Sequence, residues 1–198
     1  TNLTNLQYPV IIKPRVGCRS IGVYKVNNAQ EAKAAIESVE SPVIQEYLDG
    51  DEFTCTVVVV QDKISDVLCL KRDLRAGDTY RAFPEKNIVI ESYVKALALK
   101  LGIYGSCNFQ LRLDNGIPKL FEINSRFSGT TPFCAQLGFN PVEFYLKAKL
   151  NRRYSSNINY DAIVLRHWTE VVVPKSILNE KAIAKPFKVE SLKVSSML

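Results

Sequence analysis

The sequence predicts an α+β protein built mostly from antiparallel sheet. Three observations support this fold class: strand-like runs are joined by tight turns, three segments have the period of amphipathic helices, and the two kinds of element do not alternate regularly as in a parallel α/β sheet. Of the 198 residues, 46% are hydrophobic and 23% are charged. That composition is sufficient to bury one full core or two small lobes.

The first quarter of the chain predicts three short strands and one helix. A stripe of apolar residues at helical spacing can be capped by Asn27 or Asn28, and Pro42 follows the end of the helix. The stripe consists of Ala32, Ala35, Ile36 and Val39. Strands are expected at residues 8–13, 23–26 and 43–48.

Two antiparallel hairpins are predicted in the middle of the chain. The first joins residues 53–60 to residues 64–70 through a turn at residues 61–63. The second joins residues 107–113 to residues 118–124. Its turn is Asp114-Asn115-Gly116, and an Asn-Gly pair is one of the strongest short signals for a hairpin.

Two further helices are predicted from periodicity and from their ends. One covers residues 87–101 and is followed by Gly102, which suits the position after a helix C-terminus. The other begins at Asn140, where Pro141 and Glu143 occupy the first and third helical positions. Beyond residue 151 the pattern becomes strand-like, with a long apolar run at residues 162–173.

Cysteine and histidine usage excludes several classes of protein. The five cysteines stand singly and far apart, which argues against a disulfide framework and favours a reducing, cytoplasmic location. A single histidine, His167, cannot build a His-rich zinc site. No apolar run reaches the ~18 residues of a membrane span, so we expect no membrane association.

The charge balance permits anionic partners. The chain carries 26 Lys and Arg residues against 20 Asp and Glu residues, a net charge of +6. Such a surface suits nucleic acid or phosphate-bearing small molecules. Basic residues never run for more than two positions, and no aromatic RNA-reading motif is present, so nucleic acid is the less favoured partner.

A lysine at the end of a predicted strand precedes a loop with glycines five residues apart. Gly17 and Gly22 let backbone N–H groups approach phosphate oxygens, and Lys13 supplies a positive charge. A Walker motif needs Lys-Ser or Lys-Thr after its second glycine and then a helix, whereas Val23 and Tyr24 follow here in a strand. The segment indicates phosphate contact outside the P-loop class; the alternative is a solvated hairpin loop.

Polar residues alternate along the last strand of the second hairpin. If that strand continues, Glu122, Asn124 and Arg126 lie on one face. Mg²⁺ takes hard oxygen ligands and arginine neutralises a bridging phosphate, so this set suits a magnesium–phosphate site. Gln110 lies near Glu122 on the partner strand and offers a further oxygen. The alternative is a polar face turned to solvent.

A third segment, residues 45–54, passes from an apolar strand through a bend at Asp49 and Gly50 into the first hairpin. A hinge of this kind between two lobes would present backbone edges to a planar base. Glu52 would then accept hydrogen bonds from ribose hydroxyls. The alternative interpretation is an acidic surface turn.

In content and order, these three segments resemble the ATP-grasp superfamily. The sequence has Lys-Pro with a glycine loop, then Gln-Glu-Tyr-Leu-Asp-Gly-Asp-Glu-Phe-Thr at residues 45–54, then Gln110 and Glu-Ile-Asn-Ser-Arg-Phe at residues 122–127. The resemblance covers roughly residues 8–150, and Leu165-Arg166 with Trp168 looks like a tail strand of the same branch.

One branch of that superfamily is especially similar. The residues 122–127 stretch, followed by Gly129 and Pro132, resembles stand-alone proteins similar to the synthetase halves of the carbamoyl-phosphate synthase large subunit. Residues 76–79, Ala-Gly-Asp-Thr, resemble a segment that lines the phosphate and intermediate site of this branch.

The resemblance implies a role for each matching position. Catalytic roles fall to Arg126, which would stabilise the transferred phosphoryl group, to Lys13 on the α- and β-phosphates, and to Arg75, which with Arg81 would contact the acceptor carboxylate or the acyl-phosphate. Nucleotide-binding roles fall to Lys13, to Gly17, Ser20 and Gly22 over the triphosphate, to Gln45, Glu46 and Leu48 at the adenine edge, and to Glu52 at the ribose. Metal-binding roles fall to Gln110, Glu122 and Asn124, with Mg²⁺ as the expected ion and Mn²⁺ as the alternative.

Two departures from the family pattern accompany these roles. Gln110 stands where many members carry Asp or Glu, although the carbamoyl-phosphate branch does use Gln; a neutral ligand lowers the negative charge of the site. The domain that precedes this region in the family is not found in the sequence. We therefore expect a truncated N-terminal part, and a separate N-terminal domain or a homo-oligomer partner to complete it.

The implied architecture has two lobes with the nucleotide between them. Residues 1–48 would form a partial N-terminal lobe, residues 49–150 the C-terminal lobe with the magnesium site, and residues 151–198 a strand-rich extension. The implied function is an ATP- and Mg²⁺-dependent ligase that activates a carboxylate, or a carbamate precursor, as an acyl-phosphate for attack by an amine or ammonia. The alternatives are a nucleotide-binding fragment or subunit without turnover, and a basic module for nucleic acid.

Overall fold

Two β-sheets, one of three strands and one of seven, organise the chain. The structure is a computed structural model that describes residues 2–17, 20–75 and 77–167. Both sheets belong to one compact unit that ends at Arg166. Every strand pair in the described residues is antiparallel, which confirms the predicted α+β class.

The elements follow one another without a repeating unit. After a short 3₁₀ turn at Leu3–Asn5, the strands are β1 (Val10–Pro14), β2 (Tyr24–Val26), β3 (Pro42–Glu46), β4 (Asp51–Val60), β5 (Lys63–Ile64), β6 (Leu68–Arg75), β7 (Asp78–Glu85), β8 (Gly105–Asp114), β9 (Ile117–Asn124) and β10 (Val164–Leu165). The helices are α1 (Ala29–Ser38), α2 (Ile88–Lys100), α3 (Thr131–Gln136) and α4 (Pro141–Lys149).

The smaller sheet has the strand order β2-β1-β3, and α1 packs against it. Asn28 caps α1: its side chain accepts a hydrogen bond from the Glu31 N–H, while the Glu31 carboxylate accepts one from the Asn27 N–H. The hydrogen bond from the Asn27 N–H is the largest cause that lowers the pKa of Glu31. The buried side chains between sheet and helix are Val10, Ile12, Val26, Ala32 and Ala35.

The larger sheet has the order β10-β7-β6-β4-β8-β9, with β5 beside β4. Successive side chains of a strand point to opposite faces, so β4 contributes to two separate cores. Phe53, Cys55 and Val57 pack in the cluster that contains the buried residues of α2, whereas Val58 and Val60 pack with the buried residues of α3 and α4. Of the even-numbered positions nearer the start of β4, Thr54 and Thr56 are buried, whereas Glu52 is only partly buried.

The predicted helix and turn signals are confirmed. The Asn87 side chain accepts from the Ile90 N–H at the start of α2, and Gly102 follows this helix with a φ of 62°. The Asn140 side chain accepts from the backbone N–H groups of Val142 and Glu143 at the start of α4.

The turn between β8 and β9 also forms where the sequence predicts it. Asn115 and Gly116 both have positive φ, at 51° and 79°. This conformation is the one that a two-residue hairpin turn requires.

The first hairpin differs from its prediction. The expected second strand at residues 64–70 is divided into β5 and β6, and β4 pairs with β6 over a longer stretch than with β5. Ser65 explains the interruption, because its hydroxyl accepts the hydrogen bond of the Val58 N–H at 2.9 Å in place of a ladder carbonyl.

Two elements were not predicted at all. β7 pairs with β6 over a segment for which the sequence predicted no strand. The short helix α3 precedes α4. In the tail, only β10 falls within the predicted run at residues 162–173, and the part of that run beyond residue 167 lies outside the described residues.

Candidate functional site

A cleft of about 510 Å³ is lined by residues of both sheets. It brings together the three sequence segments that were singled out for chemistry. The predicted site residues that line it are Lys13, Gly17, Ser20, Gln45, Glu46, Leu48, Glu52, Gln110, Glu122 and Asn124. Three further predicted residues, Gly22, Arg75 and Arg126, lie outside the lining in the described part of the chain.

Lys13 and Gln45 reach from the smaller sheet to the same atom of the larger one. The Lys13 ammonium donates to the Phe121 carbonyl oxygen at 3.3 Å, and the Gln45 amide Nε2 donates to it at 3.5 Å. β1 and β3 place the two side chains side by side, since Ile11 pairs with Gln45 and Lys13 with Val43. A neutral carbonyl does not compensate the lysine charge, so this contact leaves it available to an anion.

The glycine loop runs from the end of β1 to the start of β2. Gly22 has a φ of 72°, which glycine adopts without strain. A Cβ on Gly17 would lie 3.0 Å from Cγ of Pro14, so the glycine loop packs closely against the end of β1. Val16 and Ile21 are 89% and 69% exposed, which leaves apolar side chains at the solvent side of the loop.

The segment between β3 and β4, which we call the joining segment, is held against the second hairpin at both of its ends. Lys119 forms ion pairs with Glu46 at 3.1 Å and with Asp114 at 2.7 Å. The hydrogen bond that Lys119 donates to Asp114, and then the one it donates to Glu46, raises the pKa of Lys119. Gly50, with a φ of 87°, packs so closely that a Cβ there would lie 2.0 Å from the Leu113 carbonyl oxygen.

Glu52 lies between two arginines that the sequence analysis did not single out. One carboxylate oxygen accepts from Nη2 of Arg72 at 3.1 Å, and the other accepts from Nη2 of Arg112 at 2.9 Å. Arg112 also donates to the Gly50 carbonyl oxygen at 2.9 Å. The same Nη2 of Arg72 donates to Oε1 of Gln110 at 2.6 Å.

Two side chains converge on one oxygen of Glu122. Its Oε1 accepts from Nε2 of Gln110 at 3.3 Å and from Nδ2 of Asn124 at 2.6 Å. Arg126 adjoins the group, since its Nη2 donates to Oδ1 of Asn124 at 3.3 Å. The predicted hairpin register is confirmed, with Gln110 directly opposite Glu122.

The donor chemistry of this group fits one hard divalent cation. Glu122 offers a carboxylate, and Gln110 and Asn124 offer amide oxygens, all of which Mg²⁺ accepts as ligands. With a single carboxylate, the protein would leave part of such an ion's charge to be balanced by a phosphate. No group of three or more His, Cys, Asp or Glu side chains is placed to hold a metal ion in the described residues.

Arg75 and Arg81 lie on the hairpin of β6 and β7. Arg75 pairs with Asp78 at the end of the hairpin and is exposed. Arg81 forms a salt bridge with Asp73 at 2.6 Å. The structure therefore does not bring these two residues to the cleft lining, and Ala76 beside them lies outside the described residues.

A sequence signal for the two missed arginines did exist. Leu68 and Leu70 are buried on the face of β6 whose next members are Arg72 and Leu74, and both of these line the cleft. In the same way, Arg112 is the next position after Gln110 on the same face of β8. Following the alternation of side chains to the next position on the same face of each strand would have predicted both arginines.

Other sequence expectations concern cysteines and membranes. Cys55, Cys69, Cys107 and Cys134 are buried free thiols, and Cys18 lies outside the described residues. Burial raises the pKa of Cys134 to about 11. Within the described ranges, none of the helices combines the length and the apolar character needed to cross a bilayer.

Comparison with known proteins identifies relatives of this fold. A family model described as the ATP-grasp domain matches residues 1–130. The chain is 28% identical over 142 residues to the arginine-specific carbamoyl phosphate synthase large chain of Geobacillus stearothermophilus, covering 65% of this chain and 14% of that one. It is 26% identical over 143 residues to D-alanine–D-alanine ligase A of Bacillus cereus, covering 62% and 46%.

A solved structure has the same fold. N5-carboxyaminoimidazole synthetase from Staphylococcus aureus, complexed with ADP, matches with a TM-score of 0.62 and 19% identity over 80% of this chain and 44% of that one. The chain thus spans less than half the length of each of these three proteins.

Proposed function

The chain belongs to the ATP-grasp domain family, and from this premise we propose that it binds ATP with Mg²⁺ and serves a ligase that joins a carboxylate to an amine or ammonia. The family match covers residues 1–130. The relatives named above include a synthase and a ligase, and the similar solved structure was complexed with ADP.

One observation carries the proposal: a single cleft gathers ten residues from segments that are distant in sequence. Five come from β1, the glycine loop or β3, one from the joining segment, and four from β4, β8 and β9. We propose that residues 1–48 and residues 49–150 act as the two lobes around the nucleotide, with residues 151–198 as an extension.

The charges of the cleft suit a triphosphate. Lys13 donates to a neutral carbonyl, so it can turn to the α- and β-phosphates without breaking an ion pair. Gly17, Ser20 and Gly22 would close over the phosphates with backbone N–H groups. Gln45 and the backbone of Glu46 and Leu48 would read the adenine edge, and Glu52 the ribose.

The divalent cation would be held by Gln110, Glu122 and Asn124. When bound there, Mg²⁺ would neutralise charge on the β- and γ-phosphates. Both amides must turn their oxygens inward for this, because their nitrogens now donate to Glu122. Arg126, which already contacts Asn124, would stabilise negative charge on the phosphoryl group in transfer.

The proposed reaction has two steps. A carboxylate oxygen of the acceptor attacks the γ-phosphorus, the bond from that phosphorus to the bridging oxygen of ADP breaks, and an acyl-phosphate forms. The amine nitrogen then attacks the acyl carbon, phosphate leaves with the electron pair of the carbon–oxygen bond, and the nitrogen loses a proton. Arg75 and Arg81 are proposed to contact the acceptor carboxylate or the acyl-phosphate from the hairpin of β6 and β7.

Thermal unfolding with and without MgATP tests the binding part of this proposal. At a ligand concentration 100 times the dissociation constant, binding adds about 2.7 kcal/mol to the free energy of unfolding, which at this size is a shift of roughly 5–10 °C. Mg²⁺ alone and ATP with EDTA are the matched controls. An unchanged midpoint with saturating MgATP would contradict the proposal.

Release of ADP across a panel of carboxylates and amines tests the chemistry. Turnover with a carboxylate and an amine together, and not with either alone, is expected of a ligase. A midpoint shift without ADP release from any pair would instead support a nucleotide-binding subunit that requires a partner domain or a second copy of the chain.

A further inference from the structure

The carboxylate of Glu52 is held from both sides by guanidinium groups. Arg72 and Arg112 come from the two strands that flank β4 in the larger sheet, so the three side chains form a row across β6, β4 and β8. Each arginine uses one nitrogen on a different carboxylate oxygen, at 3.1 Å and 2.9 Å. We refer to Arg72, Glu52 and Arg112 as the carboxylate clamp.

The clamp is a built arrangement rather than a chance surface pair. The side chains of Arg72, Glu52 and Arg112 are 13%, 26% and 30% exposed. Each arginine is fixed by a second contact, Arg72 to Gln110 and Arg112 to the Gly50 carbonyl. Nε of Arg72 is buried and has no hydrogen-bond partner among the described residues. The position of the guanidinium therefore does not satisfy all of its own hydrogen-bond donors.

Two arginines on one carboxylate leave a defined acceptor surface. An ionised carboxylate offers about four lone-pair sites on its two oxygens, and the clamp occupies one on each. The carboxylate plane is thereby fixed, with one further site per oxygen open to the cleft that Glu52 lines. Two neighbouring hydroxyl groups on a ring are the ligand that donates one hydrogen bond to each oxygen.

We propose that Arg72 and Arg112 are positioning residues that set the sugar specificity of the cleft, by orienting Glu52 to accept both hydroxyls of a ribose. This inference rests on the proposed binding of ATP. It adds that selection of ribose over deoxyribose depends on the two arginines, neither of which touches the sugar. Without either arginine, the Glu52 carboxylate could rotate, and its two oxygens would no longer be held in position to accept one hydroxyl each.

The experiment compares ATP with 2′,3′-dideoxyATP, each with Mg²⁺, by isothermal titration calorimetry. Hydrogen bonds to a charged acceptor are strong enough that the wild type should prefer ATP by about tenfold or more. In Arg72→Ala and Arg112→Ala the preference should fall toward one, while affinity for 2′,3′-dideoxyATP stays within about threefold of the wild type. Glu52→Gln should lose the preference in the same way.

The controls separate this inference from its alternatives. Arg153→Ala removes an exposed arginine remote from the cleft and should keep the full preference. Thermal unfolding of each variant without nucleotide shows whether it is folded. Arg72→Lys keeps the positive charge but not the forked guanidinium, so it should retain only part of the preference for ATP that Arg72→Ala loses.

Each outcome has one meaning. Absence of MgATP binding by the wild type would overturn the proposed function itself. Binding with a full preference for ATP in both arginine variants would overturn the clamp alone, as would an equal loss of affinity for ATP and 2′,3′-dideoxyATP, which would instead assign the arginines to the phosphates.

Discussion

The ammonium of Lys13 lies 3.3 Å from the carbonyl oxygen of Phe121 and donates a hydrogen bond to it, although the two residues are 108 positions apart in sequence. This bond links β1 of the smaller sheet to β9 of the larger one across the cleft. If the Lys13 ammonium turned to a bound nucleotide, the direct hydrogen bond between the sheets would be lost, and the nucleotide would connect the two sheets instead.

Lys13→Met should abolish the thermal shift caused by MgATP. Methionine keeps the length of the side chain but removes the charge that faces the phosphates. The free energy of unfolding without nucleotide should fall by no more than about 3 kcal/mol, because a hydrogen bond that involves a charged group contributes about 1.5–3 kcal/mol. Differential scanning fluorimetry with and without MgATP measures both quantities.

Lys13→Arg is the matched control for the charge. It should retain part of the shift, since the guanidinium keeps the charge but has a different shape. If MgATP raises the unfolding midpoint of Lys13→Met as much as that of the wild type, Lys13 does not contact the nucleotide.

Glu122→Ala should remove the part of the nucleotide shift that depends on Mg²⁺. Glu122 is the one carboxylate in the converging group with Gln110 and Asn124. The shift by ATP with EDTA should be unchanged in the variant, while added Mg²⁺ should no longer increase it. If Mg²⁺ increases the shift equally in Glu122→Ala and wild type, the metal assignment is wrong.

Gly50→Ala should destabilise the protein much more than Gly116→Ala, although both glycines have positive φ. A Cβ at Gly116 meets nothing within 4 Å, so only the backbone cost of about 1–2 kcal/mol applies. A Cβ at Gly50 would lie 2.0 Å from the Leu113 carbonyl oxygen, which adds about 1–3 kcal/mol of overpacking. Urea unfolding compares the two; equal losses would show that the joining segment can move away from β8.

Alkaline pH should weaken the fold through Cys134. Burial raises its pKa from 9.0 to about 11, so the folded protein keeps a proton that the unfolded chain releases. The free energy of unfolding is unaffected by this group below pH 9.0 and falls as pH rises from there to about 11.

The comparison with Cys134→Ala isolates this effect from other titrations. The stability difference between wild type and variant should shrink by about 2 kcal/mol between pH 8 and pH 10.5. A difference that is constant over this range would mean that the thiol titrates normally in the folded protein.

The sequence allowed most of the fold to be predicted because several signals are local. The caps at Asn87 and Asn140, and the turn at Asn115 and Gly116, depend on backbone conformations that neighbouring residues determine. The division of β5 from β6 could not be predicted in this way. It depends on a hydrogen bond from the Val58 N–H to the Ser65 hydroxyl, whose partners are known only when the strands have paired.

The site was predictable to the extent that its residues occur in family-like segments. Lys13, Gln45 and Glu122 belong to such segments and do line one cleft. Arg72 and Arg112 do not belong to them; the alternation of side chains places Arg112 on the face of Gln110 and Arg72 on the face of Leu70, but it does not show what the two arginines contact. Their importance follows from the order of β6, β4 and β8 in the sheet, which pairing between distant strands decides.

The two walls of the cleft differ in how firmly they are folded. The larger sheet is buried on both faces by α2 and by α3 with α4, whereas the smaller sheet rests on a cluster of five buried side chains shared with α1. Segments with few buried contacts open locally at a lower free energy than the rest of a protein. Amide hydrogens of β1 to β3 should therefore exchange with solvent faster than those of β4 and β8, and nucleotide should slow them. We expect conditions that loosen this small wall to weaken the proposed nucleotide binding well before they unfold the remainder of the chain.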